Sequence, residues 1–263
     1  MRFSSLSSGS AGNSTFIQSG DTRILIDCGI SVRLLASRLR EIGESIDGLS
    51  GIVCSHIHGD HVNGIARTVR ERIRRGNALS TYLTRPTAEL MDWEGLERPP
   101  VKYFESGKKF EIGDLEIQSF SVSHDAPDPV AFTVTDRAGI KAVVAVDMGG
   151  IPDSMNWYAK GAQIVLIESN HDGDLLRNGS YPAHLKARIC GETGHLSNAG
   201  CRNFIRRNLD ASVRHLILGH LSRQNNTPSL ALDGALECVV SKGLTCTVEV
   251  ATYKEATRIL EII

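Results

Sequence analysis

The chain is short of most features that would classify it at once. Aromatic residues make up 5% of its 263 residues, there are only 8 prolines, and the 29 basic and 30 acidic residues nearly cancel. A net charge of −1 excludes whole-molecule attraction to nucleic acid or membrane, so any such attraction must come from local patches. No apolar run approaches the ~20 residues that a membrane span requires. The opening "MRFSSLSSGSAGNSTFI" has no basic region followed by an apolar stretch, so a secretory leader is not expected and a cytoplasmic location is. Six cysteines (Cys28, Cys54, Cys190, Cys201, Cys238, Cys246) show no C-x-x-C spacing, which argues against a disulfide framework or a zinc ribbon and for reduced, mostly buried thiols. Linkers and low-complexity segments are missing too.

What the chain has is apolar content, 41%, enough for a sizeable core and a single domain over residues 1–263. Short β-branched runs alternate with longer helical patterns, as in an α/β or α+β layered fold. Strands are expected at "STFIQSG", "TRILIDCG", "GIVCSH", "LEIQSFSV", "PVAFTVTD", "KAVVAVD", "QIVLIES", "VRHLILGH" and "LTCTVEVA". Helices are expected at "SVRLLASRLREIG", "HVNGIARTVRERIRRG", "RPTAELMDWE", "PAHLKARIC", "LSNAGCRNFIRRNL" and "TPSLALDGALECVVSKG".

Many of these strands end in Asp, His or Glu. Were those ends to share one sheet edge, Asp27, His56, His58, Asp60, His61, His124, Asp147, Glu168, His171 and His220 would converge. The densest part is "HIHGDH": His56 and His58, two apart on extended chain, face one way and suit one cation. Asp60 and His61, opening a helix, can turn toward a second. Imidazole and carboxylate suit zinc, manganese or iron(II), and the lack of thiolate argues against a purely structural zinc. A lone histidine is more often a hydrogen-bonded core or surface residue, but H-x-H-x-D-H after a strand is far more specific.

With "LIDCG" before it and His124, Asp147 and His220 after it, "HIHGDH" resembles the motif set of the metallo-β-lactamase superfamily. The resemblance spans almost the whole chain and implies a four-layer αββα sandwich, two β-sheets between helix layers. It also implies two divalent metal ions per chain: His56, His58 and His124 on one, Asp60, His61 and His220 on the other, Asp147 bridging. Asp27 is expected behind the ligands, orienting a histidine through its other ring nitrogen. "SGSAGNST", "SVSHDAPDPVAFTV", "LIESNHD", "GHLSN" and "LGHLSRQNNTP" bring the chain nearer to the YycJ/WalJ-like nuclease branch. It departs from the pattern at "VDMGG", where many relatives carry Thr-Asp; the aspartate is kept.

The resemblance implies a phosphodiesterase, a 5′-to-3′ exonuclease acting on DNA ends, with Asp60 both binding metal and orienting the nucleophile. Glu168 and His195 are similar to the carboxylate–histidine pair that protonates leaving groups in related RNA-processing phosphodiesterases. Substrate contacts are expected from His171, from Ser197 and Asn198 at the start of the helix after His195, and from a basic stripe of Arg67, Arg70 and Arg74, with Arg72 and Arg75 beside it. A weaker basic group is Arg202, Arg206 and Arg207. "SSGSAGNS" reads as a hairpin turn more readily than as a phosphate-binding nest. Only 20 residues separate Asp147 from Glu168 and 26 separate Glu168 from His195, which leaves no room for a large cap domain. Alternatives are a small-molecule metallohydrolase (of a cyclic phosphodiester, lactone or thioester) and a non-catalytic nucleic-acid-binding regulator.

Overall fold

A computed structural model describes residues 1–262. The first half of the chain runs β1 (Arg2–Ser7), β2 (Ser14–Ser19), β3 (Thr22–Ile26), α1 (Val32–Glu41), β4 (Gly51–Val53), α2 (Gly59–Val62), α3 (Ile65–Arg74), β5 (Ser80–Leu83), α4 (Arg85–Leu90) and β6 (Val101–Tyr103). The second runs β7 (Lys109–Ile112), β8 (Leu115–Ser121), β9 (Val130–Asp136), β10 (Lys141–Ala145), α5 (Met155–Ala159), β11 (Ile164–Glu168), α6 (Gly173–Asn178), α7 (Ala183–Cys190), α8 (Asn198–Asn208), β12 (His215–Gly219), α9 (Pro228–Ser241), β13 (Thr247–Val250) and β14 (Leu260–Glu261).

Two seven-stranded sheets result, ordered β14-β1-β2-β3-β4-β5-β6 and β13-β12-β11-β10-β9-β8-β7. Each begins with antiparallel pairings and then turns parallel, from β3 to β6 in one sheet and from β10 to β13 in the other. Parallel strands are covered on both faces and so read as unbroken apolar runs. The period of two then sorts each run between layers. Ile164, Leu166 and Ile217 pack inward with Ile24, Ile26 and Val53 of the other sheet. Their neighbours Val165, Ile167, Leu216 and Leu218 pack outward against Phe204 and Ile205 of α8 and Ala235 of α9. On the opposite side Leu25 and Ile52 meet Leu35 and Leu39 of α1 and Ile65 and Val69 of α3. The layers are therefore helix, sheet, sheet, helix, as expected.

All nine expected strands form, and the sequence reading missed β1, β5, β6, β7 and β14. The first of these escaped because its serines look like loop; in fact Ser4 is buried and its hydroxyl donates to the Thr257 carbonyl at 2.9 Å. The helix expected across residues 61–76 is two helices, α2 and α3, parted at Asn63–Gly64. Gly64 causes the break by docking on the β3–α1 loop: its N–H donates to the Cys28 carbonyl at 2.8 Å. A Cβ there would lie 2.0 Å from the Ile30 carbonyl oxygen. The short α5 and α6 were also unforeseen. No described helix is long and apolar enough to cross a membrane. The six thiols are free, four of them buried.

Gly64→Ala should therefore cost about 1–3 kcal/mol, the range for forced overpacking. Gly150→Ala, where a Cβ meets nothing within 4 Å, should be near neutral. Thermal unfolding of both variants checks this, and equal melting temperatures would contradict the contact.

Candidate metal centre

The site is built mainly from the carboxyl ends of the parallel strands of both sheets, the edge where open α/β sheets generally place ligands, with His124 added from the end of the antiparallel β8. Asp27 follows β3, His56 and His58 follow β4, Asp60 and His61 lie in α2, and His124 comes after β8. From the second sheet, Asp147 follows β10, Glu168 ends β11, His195 precedes α8 and His220 follows β12. Asp27, Asp147 and His220 are left-handed, with φ of 61°, 56° and 54°. Such a conformation is unfavourable for a residue with a side chain, and it turns the chain sharply as each strand ends.

Three sets of donor atoms gather within 4.8 Å of one another: His56, His58 and His124; Asp60, His61, Asp147 and His220; and Asp147, Glu168, His195 and His220. Asp147 links them. Its Oδ2 is 2.5 Å from His61 Nε2 and 3.7 Å from His56 Nε2, and its Oδ1 is 3.1 Å from both His195 Nδ1 and His220 Nδ1. The 3.7 Å approach is not an ion pair, because burial, reinforced by His61, holds His56 well below the usual imidazole range and so neutral.

Hydrogen bonds behind the cluster set which ring nitrogen faces inward. Asp27 accepts from the Ser55 N–H at 2.7 Å, the Ser55 hydroxyl at 2.9 Å and His61 Nδ1 at 2.8 Å. With its one proton given to Asp27, the Ser55 hydroxyl accepts from His56 Nδ1 at 3.0 Å, which leaves His56 Nε2 as a bare lone pair. His124 Nδ1 donates to the Gly194 carbonyl at 3.1 Å, so its Nε2 is bare too, 3.1 Å from His58 Nδ1. Two ring nitrogens so placed need a proton or a cation between them. Asn13 was not singled out from the sequence, yet its amide nitrogen lies 3.1 Å from Asp60 Oδ2 and 3.0 Å from His61 Nε2, and its amide oxygen accepts from the Gly9 N–H. The "SSGSAGNS" loop is thus a hairpin turn that carries a group into the centre.

These residues fit a divalent cation. His56 Nε2 and Asp147 Oδ1 are buried with no hydrogen-bond partner, a cost that metal coordination removes. Burial lowers His124 as well, so two of the rings in the first set are neutral and ready to bind. In the second set burial opposes charge but is outweighed: Asp27 and Asp147 hold His61 well above its ordinary value, and Asp147, Asp60 and Glu168 hold His220 at about 9. Burial likewise opposes ionisation of Asp147, yet His220 and His61 keep it well below the carboxylate range. Cys54 donates its S–H to the His56 carbonyl, and burial pushes it far above the thiol range, so it is no thiolate ligand.

Glu168 and His195 stand at the edge of the cluster. Glu168 is fully buried; its Oε2 accepts from the N–H groups of Met148 at 2.8 Å and Leu196 at 3.2 Å, and its Oε1 lies 2.8 Å from His195 Nδ1. Burial disfavours a charged His195, but Glu168 and Asp147 overcome it and raise the ring to about 11. The His195 side chain is 23% exposed and opens onto a cavity of about 540 Å³ whose wall includes His171 and Ser197.

Two groups of expected substrate contacts are engaged with the protein's own residues. Asn198 is buried and does not line that cavity; it is hydrogen-bonded to Ser169 at 2.7 Å and to Asn226, and so ties loops together. In the arginine stripe, Arg67 and Arg70 pair with Glu94 at 3.0 and 3.5 Å, and Arg75 pairs with Glu71 and Asp47. Arg72 is buried and donates to the carbonyls of Ile46 and Leu49. Of these arginines, Arg74 alone has neither an ion-pair nor a side-chain hydrogen-bond partner among the described residues, so the patch carries much less free positive charge than its spacing suggests. His171 is buried too, and the cap of α6 is Asp172.

Paired mixed sheets with histidines and carboxylates at their shared strand ends define a metallohydrolase-type scaffold. A family model described as "Beta-lactamase superfamily domain" matches residues 22–221, and the chain belongs to that superfamily. Within it, the chain is 35% identical over 236 residues to exodeoxyribonuclease WalJ of Streptococcus pneumoniae, covering 88% of this chain and 85% of that protein. It is 31% identical over 247 residues to exodeoxyribonuclease YycJ of Bacillus anthracis, covering 92% and 90% respectively. The metallo-beta-lactamase fold protein YhfI from Bacillus subtilis superposes with a TM-score of 0.70 at 17% identity, over 98% of this chain and 100% of that one.

The Asp27–His61 contact gives a direct prediction. Asp27→Asn keeps the size and tolerates the left-handed backbone, but loses the carboxylate that fixes the ring. Divalent-ion affinity, read by competition with a chromophoric chelator, should fall about 10–100-fold while far-UV circular dichroism is unchanged. Unaltered affinity would show that His61 needs no such partner.

Proposed function

We propose that the chain is a metal-dependent phosphodiesterase that acts on DNA as a 5′-to-3′ exonuclease. His56, His58 and His124 would hold one divalent ion and Asp60, His61 and His220 a second, with Asp147 available to both; zinc or manganese suits these donors best, and iron is compatible. The kinship with two proteins named exodeoxyribonucleases supports DNA as the substrate. The chain works as one domain, in keeping with an inner core to which both sheets contribute. Six free thiols accord with a reducing cytoplasm.

The observation that carries the phosphodiester reading is the Glu168–His195 pair beside the ligands. Divalent ions bound there would supply Lewis acidity toward phosphoryl oxygens and a nucleophile at neutral pH. The protein's own part is proton delivery. Glu168, fixed by two backbone N–H groups, holds His195 through Nδ1, so the other ring nitrogen, Nε2, is the one that serves the leaving oxygen. Lactone and thioester chemistry has less need of such an acid.

End-labelled single- and double-stranded DNA, with Mn²⁺ or Zn²⁺, tests the reading: mononucleotides should be released from the 5′ end and none without metal. His195→Ala should keep its metal content and lose about 10²–10⁴ in turnover of ordinary phosphodiesters. A p-nitrophenyl ester, whose leaving group needs little protonation, should lose far less. Loss of metal from the variant would make His195 a ligand, and equal slowing of both substrates would make it a positioning group.

A further inference from the structure

We propose that the cavity of about 540 Å³ beside His195 is a subsite for the nucleoside of the terminal nucleotide, read by Asn203 and Arg207. The inference rests on the exonuclease reading and names where the released unit lies. In 5′-to-3′ cleavage, water bonds to phosphorus through its oxygen and releases a proton, which makes good the one His195 gives up, as the bond from phosphorus to the terminal 3′-oxygen breaks. That oxygen keeps the electron pair and takes a proton from His195. The departing nucleotide must therefore sit on the His195 side of the centre.

Two hollows share His195 as wall. One, about 230 Å³, is also lined by His124 and crossed by the Arg188–Asp125 ion pair at 2.6 Å. The other is the larger cavity, within the 300–1,000 Å³ usual for small-molecule sites. It lies between α8 and the loop after β10. Asn203 and Arg207, four apart on α8, line it, and neither side chain has an internal hydrogen-bond or ion-pair partner among the described residues. A carboxamide and a guanidinium offer the donors and acceptor that match base edges, and the guanidinium plane can stack on a base. Asn208 donates to Asn156 at 2.6 Å, and both residues line the same cavity, tying its two walls together. So tied, the cavity suits one nucleoside better than a continuing strand.

The test is equilibrium binding, independent of turnover. Calorimetric titration of the metal-free protein with thymidine 5′-monophosphate and with 2-deoxyribose 5-phosphate should show at least about tenfold tighter binding of the nucleotide. The double variant Asn203→Ala/Arg207→Ala should bring the two affinities together, and Arg40→Ala, an exposed change on α1, should not. Equal affinities in the unaltered protein, or a preference that survives the double variant, would overturn the inference. Labelled-DNA cleavage in parallel separates the two ideas: cleavage without base-dependent binding defeats the subsite alone, and base-dependent binding without cleavage defeats the exonuclease reading alone.

Discussion

The carboxylate of Asp147 is the group on which the centre depends. It is 2% exposed, yet it stays ionised because His61, His195 and His220 surround it. An isolated buried carboxylate would be far too costly, so each of those rings must be exact in position and tautomer. That need reaches outward: His61 is held by Asp27, Asp27 by Ser55, and His195 by Glu168, which itself hangs on two backbone N–H groups. Removing any one partner would leave a buried charge less well compensated.

The fold meets this need by ending parallel strands from two sheets at one edge. Each sheet brings its own carboxylate in a left-handed turn, Asp27 after β3 and Asp147 after β10. Within the first half, the loops at this edge are locked by close backbone contact. A Cβ on Gly29 would fall 1.6 Å from the Asp60 carbonyl oxygen, so only glycine lets the β3–α1 loop lie against α2. Packing and ligand placement are thus one constraint, in which the β-sandwich core fixes the distances and the loops fix the angles.

Part of this was legible in the sequence. Strand runs and their apolar content gave the layers, because burial on both faces leaves a local signature. "HIHGDH" was legible because its spacing is itself local. What stayed hidden depends on partners far along the chain. Asn13 reaches His61 across 48 residues, and Glu94 neutralises Arg67 across 27. Spacing on a helix says where an arginine points but not what meets it, so the stripe looked freer than it is. The partners of Asn198 were hidden for the same reason, since the Ser169 and Asn226 that occupy it lie 29 and 28 residues away. Asp27, expected behind the ligands, also turns the chain, combining a φ of 61° with its bond to His61.

The count of divalent ions per chain tests the centre most directly. Protein saturated with Zn²⁺ or Mn²⁺, freed of excess and analysed for metal against protein concentration, should hold two ions per chain. The Asp147→Ala protein should lose more than one ion's worth of affinity, because both positions share that carboxylate. A single ion at saturation, or two that persist undiminished without Asp147, would contradict a centre organised around it.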